Sequence, residues 1–298
     1  MTSPRQARRI DHCVLPVPDL ETARVRLANL GFTVAPDGLH PFGTENACVY
    51  FADDTFLEPL AIAQRETAEA AALKGNVFVA RDAAYRFRRG ENGFSALVMA
   101  TADAAADDRQ FKENGISAGR MLRFSRKAVD ASGKSGTASF KLAFAADLRA
   151  PDAFFFTCER IAAPAIDRSA LQRHDNGVTG IAAIVMSESN PSDFQYLLQE
   201  VVNQRDVEAH SFGMDIETAN ATIHVLTGAG MQAHFGMKAA SHARGLRLRG
   251  IVFTVDDLAR CEDVLTRNGV EFTRHLNRLV VAPADGQGAI FAFEETGK

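Results

Sequence analysis

The stretch Val14-Leu15-Pro16-Val17-Pro18-Asp19-Leu20 decides the fold, because it opens a structural unit that the chain builds more than once. Asp19 is predicted to cap a helix, since its carboxylate can accept the unpaired backbone N–H groups of the first turn. Gly31 is placed to end that helix. Between them, apolar residues recur at helical spacing, at Leu20, Ala23, Leu27 and Leu30.

The same unit recurs near the other end of the chain, where Val255-Asp256-Asp257-Leu258 opens a similar helix. Gly269 follows Leu258 by eleven residues, as Gly31 follows Leu20. Two weaker copies begin near Phe94 and Val178, and the one near Val178 lacks the final glycine. An internal repeat of this kind predicts the architecture of the whole chain.

Short strands are predicted after each helix. They cover residues 32–35, 47–51 and 55–62 in the first copy, 120–124, 138–145 and 153–158 in the second, 221–226 in the third, and 271–275, 279–282 and 289–293 in the fourth. The better copies therefore read strand, helix and three strands, which predicts an α+β protein of βαβββ modules. We expect two domains, 1–160 and 178–298, joined by a linker at 161–177 that contains Pro164.

Bulk composition excludes several classes of protein. A formal net charge of −4 gives no reason to expect nucleic acid as a partner. No apolar stretch approaches the ~20 residues of a membrane helix, and the polar N-terminus lacks the apolar core of a signal peptide. Four widely spaced cysteines without a C-x-x-C pair favour free thiols and a cytoplasmic location. We expect a small-molecule substrate as the partner, with a homodimer left open.

His12 and Glu58 are the best candidate pair for chemistry. Strand alternation places His12 on one face with Val14, and Glu58 on one face with Leu60. An imidazole and a carboxylate on inward faces need a partner, because an unpaired buried charge is costly. That partner can be a metal, but a His–Glu hydrogen bond or an arginine paired with Glu58 would also satisfy them.

Several stretches resemble the bacterial glyoxalase-like domain family of the vicinal-oxygen-chelate superfamily. They are residues 9–20, 40–47 and 56–58, then Phe124-Ser125-Arg126, and then His174-Asp175-Asn176-Gly177. The resemblance implies modules paired into two half-barrels, each around a cavity that often holds a divalent metal. It places metal ligands on the first and last strands of a module, at His12 and Glu58, and lets His174 help to close the cavity.

The departures from the family pattern concern the remaining ligands. The counterpart of His12 in the second module is Ala96, and in the second half the counterparts are Gly180 and Gly250, so the second domain is expected to be degenerate. His40 could supply the missing ligand, but it precedes Pro41 in a predicted loop, which favours a surface or turn histidine. The divalent metal therefore remains of unknown identity, and a protein without metal stays open.

The leading functional prediction is a metal-assisted lyase or isomerase acting on a carbonyl-containing small molecule. Glu58 would double as the proton-transfer base if it leaves the metal. The Arg126 guanidinium would hold an anionic group of the substrate, although a solvated hairpin residue is the alternative for Arg126. Phe156, in a phenylalanine cluster more typical of a core, would wall an apolar pocket. A non-catalytic binding or sequestering protein is the alternative, and an extradiol dioxygenase is the third hypothesis.

Overall fold

The computed structural model describes residues 5–129, 135–162, 167–238 and 244–295. In these ranges no helix is both long and apolar enough to cross a membrane. Their helices are α1 (Leu20–Asn29), α2 (Arg65–Leu73), α3 (Val77–Arg89), α4 (Ala104–Glu113), α5 (Gln195–Val202), α6 (Gly228–Phe235) and α7 (Leu258–Arg267).

The first sheet has nine strands in the order β2-β3-β5-β1-β6-β9-β8-β7, with β4 paired to β5. Its strands are β1 (Ile10–Pro16), β2 (Gly38–Leu39), β3 (Thr44–Asn46), β4 (Val49–Tyr50), β5 (Phe56–Ile62), β6 (Ala96–Ala100), β7 (Leu122–Val129), β8 (Ser135–Ala145) and β9 (Phe154–Ala162).

The second sheet has eight strands in the order β11-β12-β13-β10-β14-β17-β16-β15. Its strands are β10 (Val178–Ser187), β11 (Glu208–His210), β12 (Gly213–Glu217), β13 (Thr222–Leu226), β14 (Arg247–Val255), β15 (Thr273–His275), β16 (Arg278–Val281) and β17 (Ile290–Glu295).

Four modules build these sheets by one rule. The first strand of each module pairs in parallel with the last strand, as β1 does with β5 and β14 with β17. The two first strands of each sheet pair antiparallel, β1 with β6 and β10 with β14. The predicted α+β class of paired βαβββ modules in two half-barrels is confirmed, while the exact domain boundaries stay a prediction.

Local capping explains why the repeat folds as it does. The Asp19 carboxylate accepts the Thr22 amide at 2.7 Å, and Asp257 caps α7 in the same way. Gly31 ends α1 at a φ of 88°, a left-handed conformation that side chains with a Cβ disfavour. In the copy without a glycine, Asn203 ends α5 with a φ of 59°. Asparagine is the residue that most often substitutes for glycine there.

Some predicted elements differ from the structure. Residues 32–35 are not a strand, because Phe32 packs its ring against Phe253 and Phe291 of the second sheet instead. The helical pair α2–α3 after the first module and α6 after the third were not predicted, nor were the short strands β11 and β12. These helices follow equivalent modules, so each sheet carries a helical insertion at the same point.

The described part of the predicted linker packs on both halves, and Arg260 of α7 donates to the His174 and Asp175 carbonyls. Asn176 Nδ2 donates to the Leu30 carbonyl at 2.8 Å, and Asn176 Oδ1 accepts the Val178 backbone amide. Residues 163–166 of that segment, including Pro164, lie outside the described residues. All four cysteines are free and buried, at Cys13, Cys48, Cys158 and Cys261.

Alternation along the strands divides the apolar residues into separate clusters. One face of both sheets, with α1, α5 and α7, forms a single continuous core that spans the two halves. The inner face of the first sheet forms a second cluster around Val14, Leu60 and Phe156. The inner face of the second sheet forms a third, around Val185 and Val252. The candidate site lies on the inner face of the first sheet.

Candidate active site

Neighbouring parallel strands place His12 and Glu58 side by side. In the register of β1 and β5, His12 lies opposite Phe56 and Val14 lies opposite Glu58. The imidazole stacks on the Phe56 ring with centroids 4.3 Å apart. His12 Nε2 and Glu58 Oε2 are 3.3 Å apart, and both side chains are buried. The two side chains therefore face one cavity, as the sequence predicts, while their catalytic and metal-binding roles stay predictions.

Asp11 orients the His12 ring and was missed from the sequence. Its carboxylate lies 2.6 Å from His12 Nδ1 and forms an ion pair with Arg160 at 2.7 Å. Strict alternation would turn Asp11 away from His12. A register shift between Ile10 and His12 marks a bulge, which lets successive residues face the same side. A single sequence carries no signal for that bulge.

His40 reaches the same carboxylate from the loop between β2 and β3. Its ring is buried and stacks on Phe42, and Nε2 lies 3.7 Å from Glu58 Oε1. The Thr44 hydroxyl bonds to His40 Nδ1 at 2.8 Å. Asn46 Nδ2, absent from the sequence predictions, donates to Glu58 Oε1 at 2.6 Å. His40 is therefore a buried neighbour of Glu58 and not an exposed turn histidine.

Opposing charges set the protonation of this network. Burial alone would raise the pKa of Glu58, but hydrogen bonds from His12 and Asn46 and nearby positive charge lower it to about 2. Burial likewise opposes the charged form of His12, yet its bonds to Asp11 and Glu58 raise its pKa. Burial lowers the pKa of His40 to about 4. At neutral pH the site thus holds an ionised Glu58 beside a neutral His40.

Two connected cavities lead to these groups. The inner one, about 70 Å³, lies against His12 and Glu58. It opens into an outer vestibule of about 490 Å³, which shares His40, Tyr50 and Arg126 with it. Rings line the inner cavity, at Phe42, Phe56, Phe78, Phe124, Phe140 and Phe156. An apolar part of a ligand is therefore expected inside, and a polar part in the vestibule.

Unpaired guanidinium groups give the vestibule its charge. Arg126 lies over the Phe140 ring at 6.0 Å, and Arg168 lies over the Tyr50 ring at 4.3 Å. Among the described residues, neither forms an ion pair with a carboxylate. Arg126 was predicted from the sequence, whereas Arg168 falls in the predicted linker and was missed. Gly38 leaves room for the Arg126 guanidinium, since a Cβ there would collide with it.

His174 lies outside both cavities. Its Nδ1 accepts the Thr33 amide at 3.0 Å, and its Nε2 donates to the Tyr50 carbonyl at 2.9 Å. Both ring nitrogens are therefore hydrogen-bonded to the backbone. One of these bonds is to Tyr50, whose ring lies under the Arg168 guanidinium. His174 lines neither cavity, and its predicted role in substrate binding stays a prediction.

The second half has no counterpart of the His12–Glu58 pair. In the pairing of β10 with β13 and β14, Ala183 occupies the position that His12 has in the first sheet. The expected counterpart, Gly180, is wrong because bulges in β10 shift the strand register. His224 occupies the place of Glu58 and bonds Asp215 at 2.7 Å. In the described ranges, no three or more histidine, cysteine, aspartate or glutamate side chains are arranged to hold a metal ion.

Solved structures share this fold over nearly the whole chain. A hypothetical protein from Staphylococcus aureus has a TM-score of 0.66 at 14% identity, covering 97% of this chain and 99% of its own. A mutant of 4-hydroxymandelate synthase from Streptomyces coelicolor has a TM-score of 0.61 at 11% identity, covering 98% and 95%. The Mn(II)-bound glyoxalase from Novosphingobium aromaticivorans has a TM-score of 0.51 at 11% identity, covering 98% and 83%.

At these identities the likeness shows the fold and not the reaction. No curated protein matches the chain significantly. The model of the family described as a glyoxalase-like domain matches residues 10–202, which is more than half of the chain. The match begins at β1, includes the His12–Glu58 site and ends with α5. The chain therefore belongs to the glyoxalase-like domain family.

Proposed function

We propose that the first half is the catalytic part of a glyoxalase-like enzyme, a metal-assisted lyase or isomerase for a small anionic carbonyl compound. The observation that carries this proposal is the buried His12–Glu58 contact of 3.3 Å at the inner end of a cavity. The cavity opens into a vestibule with two unpaired arginines. A charged pair and an apolar pocket with a cationic entrance fit a substrate that carries both a reactive carbonyl and an anion.

The donor types at the site are those that bind a divalent metal, although no three such side chains of the described residues are arranged to hold one as they stand. His12 Nε2, His40 Nε2 and the Glu58 carboxylate are the residues that would hold it. Asp11 and Thr44 bond the other nitrogen of each ring, which is the outer-shell pattern of metal-binding histidines. A bound metal would act as a Lewis acid on the substrate carbonyl. As the side chains stand, they form a closed hydrogen-bonded network, with the Asn46 amide occupying Glu58 Oε1.

Glu58 would handle the proton. With a pKa near 2, Glu58 is ionised but is a weak base while His12 and Asn46 bond it. If entering substrate displaced His12 from Glu58, the basicity of the Glu58 carboxylate would rise. Glu58 Oε2 could then accept a proton from a carbon atom of the substrate. The same carboxyl group would return that proton to the neighbouring carbon, because a metal-bound His12 Nε2 has no proton to give while Asp11 bonds Nδ1. The surrounding phenylalanines exclude water from that exchange.

The vestibule arginines would hold the anionic end of the substrate. A guanidinium presents a fixed fork of donors that matches a carboxylate or phosphate. The guanidinium groups of Arg126 and Arg168 already lie over the Phe140 and Tyr50 rings, which limits the freedom lost when a ligand binds. The apolar part of the substrate would then extend towards Phe156 and the His12 ring, whose centroids are 5.9 Å apart.

A non-catalytic binding protein is the alternative function, and one observation favours it. Asn46 donates to Glu58 Oε1 at 2.6 Å, and His12 faces the other oxygen. These contacts satisfy the carboxylate without any metal, so the cavity can bind a ligand without performing chemistry.

An oxygenase is the third candidate, favoured by the position of His40. Two histidine nitrogens and one carboxylate are the donor set of non-haem iron oxygenases. The distances of 3.3 Å and 3.7 Å from Glu58 bring both rings to one carboxylate. Dependence of any activity on molecular oxygen would separate this candidate from a lyase or isomerase.

Metal content of the freshly purified protein tests the proposal. We expect about one equivalent of divalent metal per chain, lost in the His12→Ala/Glu58→Ala double variant because both donors are removed. The matched control is His275→Ala, which removes a histidine of the second half that bonds the Ala233 carbonyl. A wild type that holds no metal, even after incubation with Mn(II), Fe(II) or Zn(II), would contradict the enzyme and leave the binding protein.

A further inference from the structure

A second cavity of about 180 Å³ lies where the first half meets the inner end of the second sheet. Arg89, at the end of α3, lines it from the first half together with Tyr85. Arg247 and Arg249, on β14, line it from the second half. The cavity shares no lining residue with the His12–Glu58 site or its vestibule.

Positive charge around this cavity far exceeds the negative charge. Asp152 is the carboxylate that lines it, and Arg88 already bonds one of its oxygens at 2.8 Å. Arg89 and Arg247 approach the other oxygen only to 3.9 Å and 3.8 Å. Three guanidinium groups thus share one aspartate.

Arg249 adds a further cation. Within the described part of the chain it has no carboxylate partner, and its Nε donates to the Ser187 hydroxyl at 2.8 Å. Burial, together with the charges of Arg247 and Arg89, lowers its pKa. Close guanidinium groups in a partly desolvated cavity repel one another, and an anion between them would relieve that repulsion.

Two donors at the cavity lack an acceptor among the described residues. Arg247 Nε is buried and has no hydrogen-bond partner there. A buried donor without a partner is costly, and more so on a charged group. The Tyr85 hydroxyl accepts the Phe94 amide at 3.2 Å, which leaves its own proton free to donate. The cavity therefore offers unused donors as well as uncompensated charge.

We propose that this cavity is a binding site for a phosphate group, held by Arg89, Arg247 and Arg249. The forked donors of arginine match the oxygens of a phosphate, and its double negative charge suits three guanidiniums beside one aspartate. A volume of about 180 Å³ holds a phosphate group and leaves room for a small ester group. The source is inorganic phosphate or the phosphate of a small monoester.

Phosphate at this site would join the two halves of the protein. Arg89 belongs to the helical insertion of the first half, and Arg247 and Arg249 belong to a central strand of the second sheet. A ligand that contacts both binds the folded protein but not the unfolded chain. Its binding must therefore raise the thermal unfolding temperature in a saturable manner.

Calorimetric titration and thermal unfolding with inorganic phosphate test this inference, at constant ionic strength maintained with chloride. The variants are Arg247→Met and Arg249→Met, which remove charge but keep an unbranched apolar chain. The control is Arg274→Met, on β15, where the guanidinium pairs with Glu262 at the surface. Circular dichroism of each variant establishes that it is folded.

We expect saturable phosphate binding by the wild type and by Arg274→Met, and at least about tenfold weaker binding by each of the other variants. Tighter binding of phenyl phosphate would identify a monoester as the ligand, and weaker binding would identify free phosphate. The inference is overturned if chloride reproduces the effect of phosphate, if Arg249→Met binds like the wild type, or if Arg274→Met loses binding equally.

Discussion

Replacing the vestibule arginines tests how the substrate is recognised. The perturbations are Arg126→Met and Arg168→Met, singly and together. Methionine keeps an unbranched stem that can pack on Phe140 or Tyr50 while the charge is lost. Neither arginine forms an ion pair among the described residues, so the free energy of unfolding should change by no more than about 0.5 kcal/mol.

The expected loss of affinity follows from the contacts each guanidinium can make. A hydrogen bond to a charged group contributes about 1.5–3 kcal/mol to binding. Both arginines are only partly buried, so water screens them and the lower end applies. About 1.5 kcal/mol corresponds to a roughly tenfold weaker Kd for each single variant. The double variant should lose roughly a hundredfold if the two contacts are independent, and less if they are coupled.

The assay is calorimetric titration with benzoylformate, which combines a carboxylate, a ketone and an aromatic ring, and with its uncharged methyl ester. Wild type should prefer the acid, and added salt should weaken that preference. Lys127→Met is the matched control, because Lys127 lines the same vestibule but is exposed. We expect Lys127→Met to change the Kd for the acid by less than about threefold, as for an exposed charge.

Two results would refute this reasoning. One is equal affinity of the wild type for the acid and the ester, which would show that no anion is recognised. The other is an unchanged Kd for the acid in the double arginine variant. Failure of the wild type to bind any of a set of aryl and alkyl 2-oxo acids would refute the substrate class itself.

Two further predictions concern stability and redox state. Burial lowers the pKa of His174 below its ordinary 6.5, so only the unfolded state gains this proton as the pH falls through 6.5. His174 should therefore reduce the free energy of unfolding below pH 6.5, by at most about 1.4 kcal/mol per pH unit. In urea unfolding, the difference in free energy of unfolding between the wild type and His174→Asn should be smaller at pH 5.5 than at pH 8. A difference that does not change with pH would contradict this. Thiol titration of the unfolded protein without reductant should find all four cysteines, and recovery of only two before reduction would contradict free thiols.

Local patterns determined the parts of this protein that depend on near neighbours in sequence. The Asp19 cap acts on an amide three residues away, and the left-handed Gly31 ends the same helix. Both signals need only a few residues, so they were readable without tertiary contacts. His12 and Glu58 were predictable for a related reason, since each lies on a strand whose alternation chooses one face.

Only the tertiary structure decided the partners of those two residues. Asp11 joins His12 through a bulge, and Arg168 reaches the vestibule from a stretch that reads as a linker. The second cavity, for which phosphate is proposed, combines α3 with β14, which are separated by more than 150 residues. Register shifts and the packing of distant segments leave no periodic trace in one sequence. They are set by which surfaces bury one another, and that is a property of the folded chain as a whole.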